Sequence, residues 1–147
     1  MPGDKLPDQA VLDASVAVRL LVPEVGSDEA SQLFEQSFSW VAPRLLVTEV
    51  ASALRRKVVG GGIGREFALQ AMQALRSIVD EGALRFIADE SLASDALLLA
   101  LSMDHKFPDC LYLALAEREG AVLATADRAL ANLAKRRKVD VHVVAAA

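Results

Sequence analysis

Ala10-Val11-Leu12-Asp13-Ala14-Ser15-Val16-Ala17-Val18-Arg19-Leu20-Leu21-Val22-Pro23 is the stretch on which the fold turns. Three apolar residues run without a break into Asp13, and a helix-compatible segment, Ala14 to Val22, follows at once and is stopped by Pro23. A strand with no polar alternation is buried on both faces, which belongs to a parallel sheet covered by helices rather than to a half-solvated antiparallel one. The rest of the chain repeats the alternation. Glu24 to Ser27 holds a turn, Asp28 to Ser37 is a helix with Leu33 and Phe34 inward, and Phe38 to Ala42 is a short strand closed by Pro43. The next helix is expected to start at Pro43, since proline is favoured at the first helical position. Leu46, Val50, Ala53, Leu54 and Val58 then form one apolar stripe, and Gly60-Gly61-Gly62 ends it. Beyond lie a helix from Arg65 to Val79, a strand from Ala83 to Ala88, and helices from Leu92 to Met103 and from Pro108 to Glu119, the latter closed by Gly120. A strand from Ala121 to Ala124, a helix from Asp127 to Ala134 and a last strand from Val139 to Val144, with Val139, Val141 and Val143 at period two, complete the chain. The predicted fold is α/β, with a central parallel sheet and helices on both faces.

Composition agrees with one globular domain over 1–147, of which 1–9 is a polar leader. Among the 147 residues, 53% are apolar and only 5 are Pro and 8 Gly, which excludes disordered and collagen-like chains. Sixteen Lys and Arg against twenty Asp and Glu leave a net charge of -4, so any nucleic-acid contact must come from local basic patches. A single cysteine, Cys110, can form neither an internal disulfide nor a four-ligand zinc site, and a reducing compartment is expected. The N-terminus has no apolar core after a basic segment, and the runs Ala96 to Leu101 and Cys110 to Ala116 fall far short of the roughly 20 residues of a membrane span. A soluble, cytoplasmic protein is therefore expected. The mean hydropathy of +0.30 is high for a small domain and predicts that some apolar surface is covered by a second subunit or another partner.

Ligands of such sheets bind in the crevice beyond the carboxyl ends of the strands. The residues that the pattern brings there are acids. Asp13 follows the first strand directly, Asp127 follows the strand Ala121 to Ala124 after Thr125 and Ala126, and Asp109 sits in the first turn of the helix Pro108 to Glu119. Glu49 lies in the second turn of the helix after Pro43, beside Val50, with Ala53 rather than a basic residue at i+4. Asp13 and Asp127 taken singly read as helix N-caps, and Asp109 as a carboxylate complementing a helix dipole. Four independent caps, however, would not need to gather at one end of the sheet beside apolar neighbours.

Four segments carry a family resemblance: Val11-Leu12-Asp13-Ala14-Ser15, Thr48-Glu49-Val50-Ala51-Ser52-Ala53-Leu54, Pro108-Asp109-Cys110-Leu111-Tyr112-Leu113-Ala114-Leu115-Ala116 and Thr125-Ala126-Asp127-Arg128. In order and spacing they resemble the four acidic motifs of PIN-domain ribonucleases, above all the compact VapC-type toxins, and the likeness runs from about residue 10 to the C-terminus. The resemblance implies a three-layer α/β/α domain and makes Asp13, Glu49, Asp109 and Asp127 the catalytic, metal-binding acids, with Ser15 and Thr125 in support. It also implies an endoribonuclease that leaves 5′-phosphate and 3′-hydroxyl ends and acts as the toxin of a toxin-antitoxin pair, restrained by a cognate antitoxin and assembled as a homodimer. Two departures are visible: Cys110 stands where the family usually has Ala, and no further acid follows Asp127 within its helix.

The chemistry of the residues is consistent with that reading. All-oxygen ligands without converging His or Cys select Mg²⁺ or Mn²⁺. Clustered carboxylates repel one another, so some take up protons unless cations neutralise them. Such cations can position a water, lower its pKa and stabilise charge on an in-line path at phosphorus. A metal-free ribonuclease would need a paired general acid and base, and His105 and His142 read as ordinary structural or solvated residues. Arg55, Arg56 and Lys57 beyond Glu49, the run Lys135 to Lys138, and more weakly Arg19 and Arg128, are candidates for RNA phosphates, with a solvated face as the alternative. Cys110 reads as a small core hydrophobe. Gly60 to Gly64 follows a helix, with Arg65 in place of the closing glycine of a nucleotide loop, and so reads as a helix-to-helix hairpin. The alternative function is a non-catalytic PIN-fold module that binds RNA or protein; a phosphoacceptor domain lacks its expected acidic pair and lysine.

Overall fold

A computed structural model describes residues 8–145. Most of the expected polar leader lies outside them, and Gln9 already belongs to the first strand. Five parallel strands, β1 (Gln9–Leu12), β2 (Ser39–Pro43), β3 (Leu84–Ile87), β4 (Val122–Thr125) and β5 (Val141–Val143), form one sheet in the order β3-β2-β1-β4-β5. Seven helices connect them: α1 (Ala14–Leu21), α2 (Ser27–Phe34), α3 (Leu45–Val59), α4 (Arg65–Asp80), α5 (Asp89–Met103), α6 (Phe107–Glu119) and α7 (Arg128–Arg136). The chain moves outward from β1 to β2 and β3, then crosses back to β4 and β5 on the other side. Right-handed crossovers therefore place α1–α4 on one face and α5–α7 on the other, which is the three-layer α/β/α arrangement.

The central strand is buried throughout: Ala10 and Val11 are 0% exposed and Leu12 is 1% exposed. Helix α6 packs between α5 and the strands β1, β2 and β4, so Cys110 to Ala116 are buried all round and the helix has no polar face. Cys110 is core, as its composition suggested. The Gly60 to Gly64 segment is the turn between α3 and α4, and Gly120 adopts the left-handed conformation that closes α6, at φ 60°.

Three local expectations need correction. Pro43 is the last residue of β2 and not the first of α3, whose cap is Arg44. It lies past Val41, the last β2 residue with a β1 partner, so its missing N–H removes no ladder bond on that side. Helix α5 begins at Asp89, a turn before Leu92, with Asp89 and Glu90 in its first turn complementing the helix dipole, and the Asp89 carboxylate also accepts from the Leu45 N–H at the start of α3 at 3.0 Å. The last strand is shorter than Val139 to Val144, and its period-two face is not buried, since Val143 is 43% exposed while Val144 is fully buried. An edge strand packs on only one neighbour, so alternation there says little about burial. No helix among the described residues is long and apolar enough to cross a membrane.

Candidate functional site

The switch point of the sheet lies between β1 and β4, where consecutive connections leave in opposite directions. Leu12 is in register with Ala124, and the Asp13 N–H donates to the Ala124 carbonyl at 3.0 Å. That one extra ladder bond sets the Asp13 side chain beside Thr125. Asp13 occupies the N-cap position of α1 but accepts nothing from the helix N–H groups. Its Oδ2 instead accepts from the Thr125 hydroxyl at 2.9 Å and from the Ser15 hydroxyl. Ser15 Oγ also accepts from the Ala126 N–H at 2.9 Å, and Thr125 Oγ1 from the Asp127 N–H at 3.0 Å, which ties the two strand ends together.

Asp127 behaves differently although its setting in the sequence is nearly the same. Its Oδ1 caps α7, accepting from Ala129 N–H at 2.9 Å and Leu130 N–H at 3.2 Å. The capping interpretation thus holds for Asp127 and fails for Asp13, while both line the same cavity.

Glu49 projects from the second turn of α3, and its Oε1 accepts from the Tyr112 hydroxyl of α6 at 2.6 Å. Asp109, buried in the first turn of α6, has its Oδ2 2.8 Å from His105 Nε2 and 3.8 Å from Lys106 Nζ. Asp13, Glu49, Asp109 and Asp127 border one cavity of about 200 Å³, with Ser15, Arg56 and Lys106 at its walls. Among the described residues no three His, Cys, Asp or Glu side chains stand close enough to enclose an ion by themselves; the acids surround a space rather than touch.

Burial pushes the Asp13 carboxyl up from 3.8 to about 6; the Ser15 and Thr125 hydroxyls oppose the rise, and the charges of Glu49 and Asp109 add to it. Glu49 is also raised, first by burial and then by Asp109, against the Tyr112 hydrogen bond and the cations Lys106 and Arg56. The Tyr112 phenol is raised by burial and by the neighbouring carboxylates, which keeps it a neutral donor. Burial lifts the Cys110 thiol, so it is no nucleophile at neutral pH. A carboxyl pushed up by burial, with two like charges adding to the rise, is a site that gains from a cation, and oxygen donors suit a hard divalent one.

The basic candidates separate. Arg56 faces the cavity, whereas Arg55 lines a cleft with Val58, Val59 and Arg65, and Lys57 is bound to Glu24 at 2.6 Å. Arg19 is committed to the Ser15 carbonyl at 2.7 Å and the Ala145 carbonyl at 3.2 Å, and Arg137 to Glu117 at 2.8 Å. Arg128 is exposed and His142 is exposed on β5; neither borders the cavity. The structure brings forward Tyr112, His105 and Lys106, which the sequence reading did not select. Tyr112 carried a signal, a polar tip three residues after Asp109 inside an otherwise apolar run.

The sequence model of the PIN domain matches residues 10–136. Ribonuclease VapC3 of Pyrobaculum aerophilum is 32% identical over 122 residues, covering 83% of this chain and 92% of that protein. Among solved structures, the fold is similar to that of VapC20 of Mycobacterium tuberculosis, a sarcin-ricin loop cleaving toxin, with a TM-score of 0.67, 15% identity and coverage of 84% and 94% of the two chains. It is also similar to a chain in a toxin-antitoxin complex from Klebsiella pneumoniae, with a TM-score of 0.60, 17% identity and coverage of 81% and 87%.

Proposed function

The chain belongs to the PIN-domain family, on the side of its VapC-type ribonucleases, and from that premise we propose that it is a Mg²⁺- or Mn²⁺-dependent endoribonuclease, the toxin of a toxin-antitoxin pair. One observation carries the reading: Asp13, at a helix N-terminus, gives up capping and is buried facing the cavity that Glu49, Asp109 and Asp127 also border. The Asp13 carboxyl is free of the α1 N–H groups and is held by Ser15 and Thr125 instead, while Asp127 caps α7 through Oδ1 and still borders the cavity.

In this reading Asp13, Glu49, Asp109 and Asp127 would hold a divalent cation together with water ligands, since no three of them enclose an ion by themselves, and the bound cation would supply charge compensation and an activated water for attack on the phosphodiester. The remaining residues fix the acids. Ser15 and Thr125 hold the Asp13 carboxyl, Tyr112 holds Glu49 and His105 holds Asp109, so that the oxygens are set in place before substrate arrives. The single domain acts in the cytoplasm on RNA. Two apolar areas support the further partners, a homodimer and a cognate antitoxin: Leu97, Leu98 and Leu101 on α5, and Val59, Phe67 and Leu69 where α3 meets α4, all exposed.

Cleavage of structured RNAs by the purified protein in Mg²⁺ or Mn²⁺, with a chelator control and Asp109→Asn, tests the proposal. Activity that requires both metal and Asp109 is expected. A folded, metal-binding protein inactive across a broad RNA panel would refute it in favour of a binding module.

A further inference from the structure

One divalent cation offsets only part of the charge of four carboxylates around one cavity, so basic side chains on its walls favour an incoming phosphate. Lys106 reaches the cavity from the turn before α6, and Arg56 reaches it from α3. Among the described residues neither is committed elsewhere. The Lys106 side chain is 66% exposed, and its 3.8 Å approach to Asp109 competes with the tighter His105 contact on the same oxygen. Arg56 has no carboxylate within ion-pair distance among the described residues, unlike Lys57, Arg19 and Arg137. Arg56 also borders a second cavity, of about 380 Å³, which shares Ser15, Val18 and Ala53 with the first. A chain seated over the acids therefore has room to continue past Arg56.

Resting on the ribonuclease reading, we propose that Lys106 and Arg56 are substrate-binding residues, a clamp whose two arms rise from opposite walls of the acid pocket and take non-bridging phosphate oxygens of the RNA backbone. Arg56 offers a planar fork of donors, and Lys106 a mobile point charge that leaves Asp109 when a phosphate arrives. Both sit at exposed positions, so their removal leaves the fold intact.

Binding of a short 5′-fluorescein-labelled single-stranded RNA is measured in Ca²⁺ across a KCl series, for wild type, Lys106→Ala, Arg56→Ala, the double variant and Arg76→Ala as a remote control. Each single variant is expected to weaken binding roughly five- to tenfold and to lower the slope of log K against log salt by about 0.7, the double variant by about 1.4, with Arg76→Ala unchanged. Lys106→Arg should restore the slope. In Mg²⁺ cleavage the effect should fall on KM rather than kcat. Wild-type cleavage with unchanged slopes in both variants overturns the clamp and leaves the ribonuclease reading standing. RNA binding with the predicted slopes but no cleavage in any metal does the reverse, and a wild type that neither binds nor cleaves RNA removes both.

Discussion

Asp13→Asn should make the metal-free protein more stable, and by an amount that grows with pH. The wild-type carboxyl has its midpoint at about 6 in the folded protein against 3.8 unfolded. At about 1.36 kcal/mol per pH unit, that difference costs the charged form roughly 3 kcal/mol. The folded state binds the extra proton between those two values, so stability is highest below 3.8, declines as pH rises through the window, and bears the full cost above about 6. Asparagine preserves the volume and one carbonyl acceptor for the Ser15 and Thr125 hydroxyls but carries no charge. At about pH 4 the two proteins differ mainly in hydrogen-bond detail; by about pH 8 the variant should have gained about 2.5 kcal/mol relative to that baseline. For a domain of this size the gain corresponds to roughly 5–10 °C in Tm. Urea unfolding in chelator at a series of pH values for both proteins measures it. Excess Mg²⁺ at the upper pH should narrow the gap, because it binds the folded wild type more tightly than the variant. A gap that is flat with pH, or that shrinks as pH rises, would refute the assignment of Asp13 as a carboxyl that burial, with the nearby Glu49 and Asp109 charges, pushes upward.

Tyr112→Phe removes the hydroxyl that holds Glu49 down; kcat/KM should drop about tenfold, stability by about 1 kcal/mol, and the acid limb of the rate profile should move to higher pH. An unshifted profile at full rate would assign Tyr112 to packing alone. At Asp127 the two roles separate: Asp127→Asn keeps the α7 cap and should lose cleavage without losing stability, whereas Asp127→Ala should lose cleavage and about 1 kcal/mol as well, both read by activity and urea titration. Gly26→Ala tests the close approach of the turn before α2 to Ala145, since Gly26 has φ +90° and a Cβ there would stand 2.5 Å from the Ala145 carbonyl oxygen. More than about 1 kcal/mol of destabilisation is expected in thermal unfolding, with the cleavage rate per folded molecule unchanged.

Much of the architecture was legible because it is written locally. The unbroken apolar run Ala10 to Leu12, the helical stripe from Leu46 to Val58 and the breaks at Pro23, Gly60 and Gly120 identify their elements through contacts between near neighbours. The order of the four acids on those elements was enough to gather them at one end of the sheet. Boundaries were less secure. Pro43 closes β2 instead of opening α3, and a proline beyond the last residue of a strand paired to one neighbour looks in sequence like one at the start of a helix.

Which elements form, that the sheet is parallel and which acids reach its carboxyl edge follow from the amino-acid order alone, since periodicity and chain order depend on residues a few positions apart. What each acid does there depends on the packing of distant segments. Asp13 and Asp127 both lie between a strand and a helix, yet one is turned away from its helix by the Ser15 and Thr125 hydroxyls while the other remains a cap. Tyr112 finds Glu49 across 63 positions of chain, and Thr125 finds Asp13 across 112. Arg55 and Arg56 are neighbours in sequence that line different clefts, because successive residues of a helix point about 100° apart. Which side chains meet, and therefore which carboxyl is forced upward and which cation is left free, depends on packing between distant segments that no local pattern records.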